Sequence, residues 1–302
     1  MILHSCSLIS INAACSFRKI PPTIAARGDK FSSKTHKNEQ LCASKFCSCG
    51  SRRQFIEAAA TALLPLLNPS GVSGLPYDSM DMLNKFHPAR PDWYEEFYAS
   101  VMNSSMESYE AEIAGYKSEL FDKLRGKAKK VLEIGIGTGP NLKYYAGDID
   151  VQVVGVDPNK KMEKYAQAAA MAAGLPLANF KFMKAVGEAI PLSDGSVDAV
   201  VGTLVLCSVK DVDMTLQEVR RVLKPGGIYL FVEHVAAKDG TLLKFWQSVL
   251  DPLQQTIADG CHLTRQTRKN ISEAGFSDVK LSNALLSNAS LINPHVYGIA
   301  LK

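Results

Sequence analysis

Beyond residue 74 the chain of 302 residues holds two cysteines, Cys207 and Cys261, so no disulfide framework supports its body. The other five (Cys6, Cys15, Cys42, Cys47 and Cys49) crowd into the first 50 residues. The CSCG at 47–50 offers half of a zinc pattern, but no second Cys/His pair follows nearby at ligand spacing. No metal is expected, and Cys207 and Cys261 read as packed thiols. Long apolar runs are also missing: IEAAATALLPLL, residues 56–67, is interrupted by Pro65 and falls short of the roughly 20 residues that span a bilayer. Acids are scarce at the start, where the first 75 residues carry nine Lys/Arg against three Asp/Glu, leaving 25 against 27 for the rest. The formal net charge of +4 therefore belongs to the leader. A slightly acidic body excludes a basic nucleic-acid binder, and no nucleic-acid partner is expected.

The leader, residues 1–50, is rich in Ser, Ala, Lys and Arg and has only Asp29 and Glu39 as acids, the composition of an organelle transit peptide. SRRQF (51–55), the short apolar run and NPSGVSG then follow in an order that resembles a twin-arginine export signal, over 51–74. Cleavage near Ser73 or Gly74 and retention as a shallow anchor are both open. The expected location is the chloroplast, in the thylakoid lumen or at the thylakoid membrane, with the mitochondrion as the alternative. Residues 75–91 have turn residues and no period and read as a linker, so the catalytic domain is expected over 92–302 as a monomer, soluble or peripherally membrane-associated.

Within that domain, Trp93, Phe97 and Val101 recur at helical spacing, as do Tyr109, Ile113 and Tyr116, then Leu120 and Leu124. Trp93, Phe245 and Trp246 are read as core or pocket wall. Strand and helix patterns then alternate: KVLEI, a helix through Asn141–Tyr145, VQVVGV, a helix from Pro158 to Ala173, FKFM, VDAVVG, DMTLQEVRRVL and IYLFV. Helices near Leu242–Ile257 and Thr264–Ala274 and the strands VKLS and VYGIALK close the chain. Strands this apolar are buried on both faces, which predicts an α/β fold with a doubly wound, mostly parallel sheet.

In such a sheet ligands sit beyond the carboxyl ends of the strands at the switch point, where the first strand hands over to Gly135, Gly137 and Gly139. The G-x-G-x-G spacing departs from the G-x-G-x-x-G of dinucleotide sites, and Glu133 at the strand end would repel a pyrophosphate. An acid there suits a cationic amine, such as that of S-adenosylmethionine. Asp157, closing VGVDP with Pro158, stands where a carboxylate accepts hydrogen bonds from both hydroxyls of a ribose.

VLEIGIGTGPN, GVDPN, VGEAIPLSDGSVDAVV and RRVLKPGG resemble the successive motifs of class I S-adenosylmethionine-dependent methyltransferases. GTLVLCSVK, VEHVAAKDG, FWQSVLDP, DGCHLTR and NPHVYG are more specific and resemble the methyltransferase-like thiol S-methyltransferases. The resemblance implies a Rossmann-like seven-stranded sheet with an antiparallel last strand, and a methyl transfer to a small apolar acceptor, with a thiol as the first choice. It implies that Glu133, Gly135, Gly137 and Gly139 cradle the methionine part of the donor, that Asp157 and Pro158 hold the ribose, and that Gly187 and Glu188 border the adenine. Thr203 and Leu204 would line the wall where donor meets acceptor. Val186-Gly187 replaces the Asp-Ala pair of many quinone-modifying relatives, so adenine recognition would lean on backbone groups. C- or O-methylation of a plastid quinone or lipid, and donor binding without turnover, are the rival readings.

Candidates on the acceptor side are His234, Asp259, Cys261, His262, Arg265 and His295, of which His234 and Asp259 are the catalytic choices. His234 follows LFVE at a strand's carboxyl end, and a ring that merely satisfies a backbone carbonyl remains equally open. His295 is read as ordering the last hairpin, and Arg265 as capping its helix or pairing with Asp259.

Overall fold

A computed structural model describes residues 78–302 except Ala146 and Ile149, so the readings of residues 1–74 lie outside the described residues. Among the described residues three helices precede the sheet: α1 (Ser79–Phe86), α2 (Asp92–Ser105) and α3 (Glu107–Asp122). Then come β1 (Lys130–Ile134), β2 (Gln152–Asp157), α4 (Glu163–Ala172), β3 (Phe180–Lys184), β4 (Val197–Thr203), α5 (Val212–Val222) and β5 (Leu223–His234). The chain ends in α6 (Leu242–Ile257), α7 (Thr267–Glu273), β6 (Asp278–Ala284) and β7 (His295–Leu301). The strand order is β3-β2-β1-β4-β5-β7-β6, with β7 antiparallel to both neighbours and the other pairs parallel. The order reverses between β1 and β4, which opens the switch-point crevice at their carboxyl ends.

Alternation along the strands divides the core between two faces. Val131, Val153, Ala199, Val201 and Leu230 face the layer that includes α2, α3 and α4, whereas Leu132, Ile134, Val154, Val200 and Phe231 face Leu216, Val219 and Ile271 of α5 and α7. Both faces are apolar, as parallel strands under crossover helices require. Side-chain oxygens of Asp211 and Thr241 cap α5 and α6 by accepting the N–H groups of Met214 and Lys244.

Two expectations are corrected. Residues 79–86 are not irregular linker: Asp78 caps α1 by accepting the Met80 N–H at 2.8 Å, and Leu83 packs against Val186 and Ala189. Eight residues with a single buried side chain give too few repeats for a period to be legible. Trp93, Phe245 and Trp246 are not core but exposed, Trp93 by 70%. On α2 the buried face runs through Glu95 and Ala99, on the opposite side of the helix from Trp93 and Phe97.

Candidate active site

The β1 exit, the β2 end and the β4–α5 loop meet α1–α3 around a cavity of about 180 Å³. Gly135, Gly137, Asp157, Pro158, Gly187, Glu188, Thr203 and Leu204 all line it. Asp157 is the best defined of them. Its Oδ2 accepts the Gly137 N–H at 2.9 Å and its Oδ1 the Asn159 N–H at 2.9 Å, so the carboxylate clasps the glycine turn to the end of β2. Burial lifts its pKa to about 6 against the pull of those two bonds.

The glycines divide the work. Gly135 has φ +60°, and a methyl there would stand 2.6 Å from Val205 Cγ2; Gly137 has φ +53°. Gly139 and Glu133, by contrast, do not line the cavity. A methyl on Gly139 would strike Leu142 at 2.7 Å and Ala166 of α4 at 3.1 Å, so this glycine permits helix packing. Glu133 is buried, with Oε1 accepting from Asn141 Nδ2 at 2.8 Å and Oε2 from Tyr145 OH at 3.2 Å, and burial raises its pKa to about 7. It organises the turn from behind. The charged pair that does line the cavity comes from α3: Lys117 Nζ lies 2.7 Å from Glu110 Oε1, and burial pushes the Lys117 ammonium below its usual range. Glu110 Oε2 is buried with no partner among the described residues.

Asp259 also lines the cavity, as does His87 just past α1. His87 Nε2 lies 3.4 Å from Asp259 Oδ2, and Arg90 lies 2.7 Å from Oδ1. Burial raises the Asp259 pKa, but His87 and Arg90 outweigh it and hold the carboxyl below its usual range. Asp259 (φ 48°) and Leu204 (φ 54°) are the only non-glycine residues with positive φ among the described residues. Both lie on the cavity wall, where backbone strain costs about 1 kcal/mol or more and accompanies function in many proteins.

The wall segment 204–210 is braced on several sides. Glu233 Oε1 accepts the Val205 and Leu206 N–H groups, both at 3.1 Å, and Glu188 Oε1 accepts those of Lys210 at 2.6 Å and Asp211 at 3.2 Å. Arg265 donates to the carbonyls of Leu206 and Val209, not to Asp259. His262 pairs with Asp251 at 3.3 Å, and His295 is buried beside Tyr109. His234 is corrected as a cavity residue: it is buried, with Nε2 3.1 Å from Cys261 Sγ, and does not line the cavity. Cys207, His234 and Cys261 instead gather behind the wall. Sequence reasoning missed His87, Glu110 and Lys117, because the segments ahead of β1 carry no glycine motif that announces a site, and it missed Glu233, the neighbour of His234 in β5.

Residues 132–231 match the family model described as a methyltransferase domain. The chain is 43% identical over 201 residues to human thiol S-methyltransferase TMT1A, covering 64% of this chain and 81% of the relative. To rat thiol S-methyltransferase TMT1B it is 39% identical over 235 residues, or 76% and 93% of the two chains. The chain belongs to this family of class I S-adenosylmethionine-dependent methyltransferases. The fold is shared with the Haemonchus contortus phosphoethanolamine N-methyltransferase 2 bound to phosphomonomethylethanolamine and S-adenosylhomocysteine, at TM-score 0.52 and 16% identity over 71% of this chain and 61% of that one. S-adenosylmethionine is the cofactor, and the buried Asp157 clasp beside bare glycine backbone is chemistry that suits its ribose.

Proposed function

We propose that this methyltransferase moves the methyl group of S-adenosylmethionine to the sulfur of a small apolar thiol. The observation that carries the reading is the His87–Asp259 pair on a cavity wall to which Tyr98, Met102, Met106 and Leu204 also contribute. A thiol with a pKa of about 8.5 needs only modest help to ionise, and an imidazole held by a carboxylate supplies it. The relatives named as thiol S-methyltransferases support the same acceptor. Asp157 takes the ribose hydroxyls of the donor, and Gly187 and Glu188 border its adenine. Lys117 and Glu110, rather than Glu133, face the carboxylate and ammonium of its methionine end. His87 accepts the thiol proton, and the sulfur then attacks in line, with a gain from positioning of roughly 7–11 kcal/mol in ideal systems.

The test is a panel of thiols, quinones and phenols with labelled donor, run on the protein and on H87Q. Label on thiols is expected, with kcat/KM of H87Q down about 10- to 100-fold and recovering as pH rises toward the thiol pKa. Label on quinones alone, or an H87Q profile identical to that of the parent, would overturn the reading.

The protein is further proposed to act as a monomer peripherally attached to a lipid surface. The nine exposed positions of α6 carry no charge and include Leu242, Phe245, Trp246, Val249, Leu253 and Ile257. At about 24 Å this helix is too short to span a bilayer but suited to lying in its interface. The basic leader followed by SRRQF supports a plastid destination for that surface, to be checked by imaging a fluorescent fusion.

A further inference from the structure

Behind the cavity wall lies a group of side chains that the methyl transfer does not use. Cys207 follows β4, His234 ends β5 and Cys261 follows α6, and their donor atoms lie within 4.8 Å of one another. All three residues are buried and both cysteines are free thiols. The arrangement is held from outside the cluster, since the His262 N–H donates to the Cys207 carbonyl at 2.9 Å and Arg265 ties Leu206 and Val209 to the same loop. An apolar core gains nothing from three polar groups here.

We propose that Cys207, His234 and Cys261 bind one zinc ion. Zinc takes thiolate sulfur at about 2.3 Å and imidazole nitrogen at about 2.0 Å, so three of its tetrahedral donors lie on the order of 3.5–3.8 Å apart. The observed triangle needs only small side-chain adjustments to meet that spacing. His234 Nε2, the nitrogen facing Cys261 Sγ, is the ligand, and Nδ1 carries the proton. Binding replaces two S–H bonds by two Zn–S bonds and releases two protons to solvent, with no change of oxidation state. Two thiolates neutralise the ion, and the fourth position is left for a water or a sulfur donor, as in three-ligand zinc sites. The ion would fasten the β4–α5 loop to the segment after α6. Leu204, Val205, Ser208 and Val209 on one side and Asp259 on the other line the cavity, so zinc would set the width of the wall. The site stands independently of which acceptor is methylated.

The full-length protein, produced with zinc in the medium and dialysed into metal-free buffer, is expected to retain close to one zinc per chain by elemental analysis. Cobalt exchanged into it should give the intense visible bands of tetrahedral thiolate coordination and the near-ultraviolet thiolate-to-metal transition. C207S, C261S and H234Q should each lose most of the metal, while donor binding reports whether each variant is folded. Should a variant fail to fold, the wild type decides: chelation must raise the count of thiols reactive with a disulfide reagent, and zinc must lower it again. A folded wild type that retains no zinc, shows no cobalt–thiolate band and titrates identically with and without zinc would overturn the proposal. So would isolation of Cys207 and Cys261 as a disulfide that forms under air in the presence of zinc.

Discussion

Replacing Asp157 by Asn separates stability from donor binding, and the two changes have opposite signs. In the folded protein burial lifts the Asp157 pKa to about 6, so its ionised form at neutral pH carries a penalty of about 3 kcal/mol relative to an exposed aspartate. Asparagine removes that penalty. It keeps one acceptor oxygen for the Gly137 or Asn159 N–H but loses the second bond, which returns about 1 kcal/mol. The variant is therefore expected to melt at the same temperature as the parent or a few degrees higher. Donor affinity moves the other way. A carboxylate accepting both ribose hydroxyls makes two hydrogen bonds of about 1.5–3 kcal/mol each, and the amide retains at most one in good geometry. The loss of about 2–4 kcal/mol raises the donor Kd roughly 30- to 1000-fold. Calorimetric titration with S-adenosylmethionine, paired with thermal melts, reads both. In the parent, affinity should hold above pH 7 and weaken as pH falls through about 6, because protonation removes the acceptor. A D157N protein with donor affinity within twofold of the parent would refute the ribose assignment.

Glu133, raised to about 7 by burial, is protonated in the folded chain over a range where the unfolded chain has already ionised it. Its contribution to stability is present below the unfolded pKa and lost as pH rises to about 7, so E133Q should exceed the parent by up to about 3 kcal/mol in urea melts at pH 8 and differ little near pH 4.5. Gly298 of β7 leaves no room for a side chain, since a methyl would stand 1.9 Å from the Lys280 carbonyl oxygen, and G298A should lose about 2–4 kcal/mol in the same assay. Vesicles of anionic lipid should co-sediment with the protein, and F245S/W246S should abolish this without altering donor affinity; equal sedimentation of the two proteins would remove α6 as the docking face.

The sheet was legible because its strands are apolar on both faces and separated by glycine turns, a pattern that only a buried parallel sheet produces. The cavity residues on those turns were legible for the same reason: Gly135, Gly137, Asp157 and Thr203 lie where strand ends meet the switch point. Glu133 does not line the cavity, because position along a strand does not say which way a side chain turns. It ends up under the turn, gripped by Asn141 and Tyr145. His234, at the end of β5, likewise does not line the cavity. His87 and Lys117 had no chance of being seen, since a short helix and an ordinary amphipathic one bring them to the cavity only through tertiary packing. Trp93 and Trp246 show the converse, aromatics at helical spacing whose stripe faces outward.

The strand ends gather three buried carboxyls whose pKa values are raised by burial to about 7 for Glu133, 6 for Asp157 and 8 for Glu233. Each accepts hydrogen bonds from a segment on or beside the cavity wall. The donor is a sulfonium cation, and transfer to the proposed thiolate acceptor extinguishes its charge. Fixed anions nearby therefore hold the ground state more firmly than the transition state, by roughly 2 kcal/mol for a unit charge at about 7 Å and an effective dielectric near 20. Burial that keeps Glu233 largely protonated and Glu133 about half protonated at neutral pH limits this opposition, while their oxygens still organise the loops. Asp157, at about 6, is mostly ionised at pH 7, as the proposed ribose contact requires. The ratio of S-adenosylmethionine to S-adenosylhomocysteine affinity should then climb between pH 6 and 9 as Glu133 and then Glu233 ionise, since only the former ligand carries the sulfonium. A ratio that stays flat over that range would mean that neither glutamate's charge reaches the methyl-bearing sulfur.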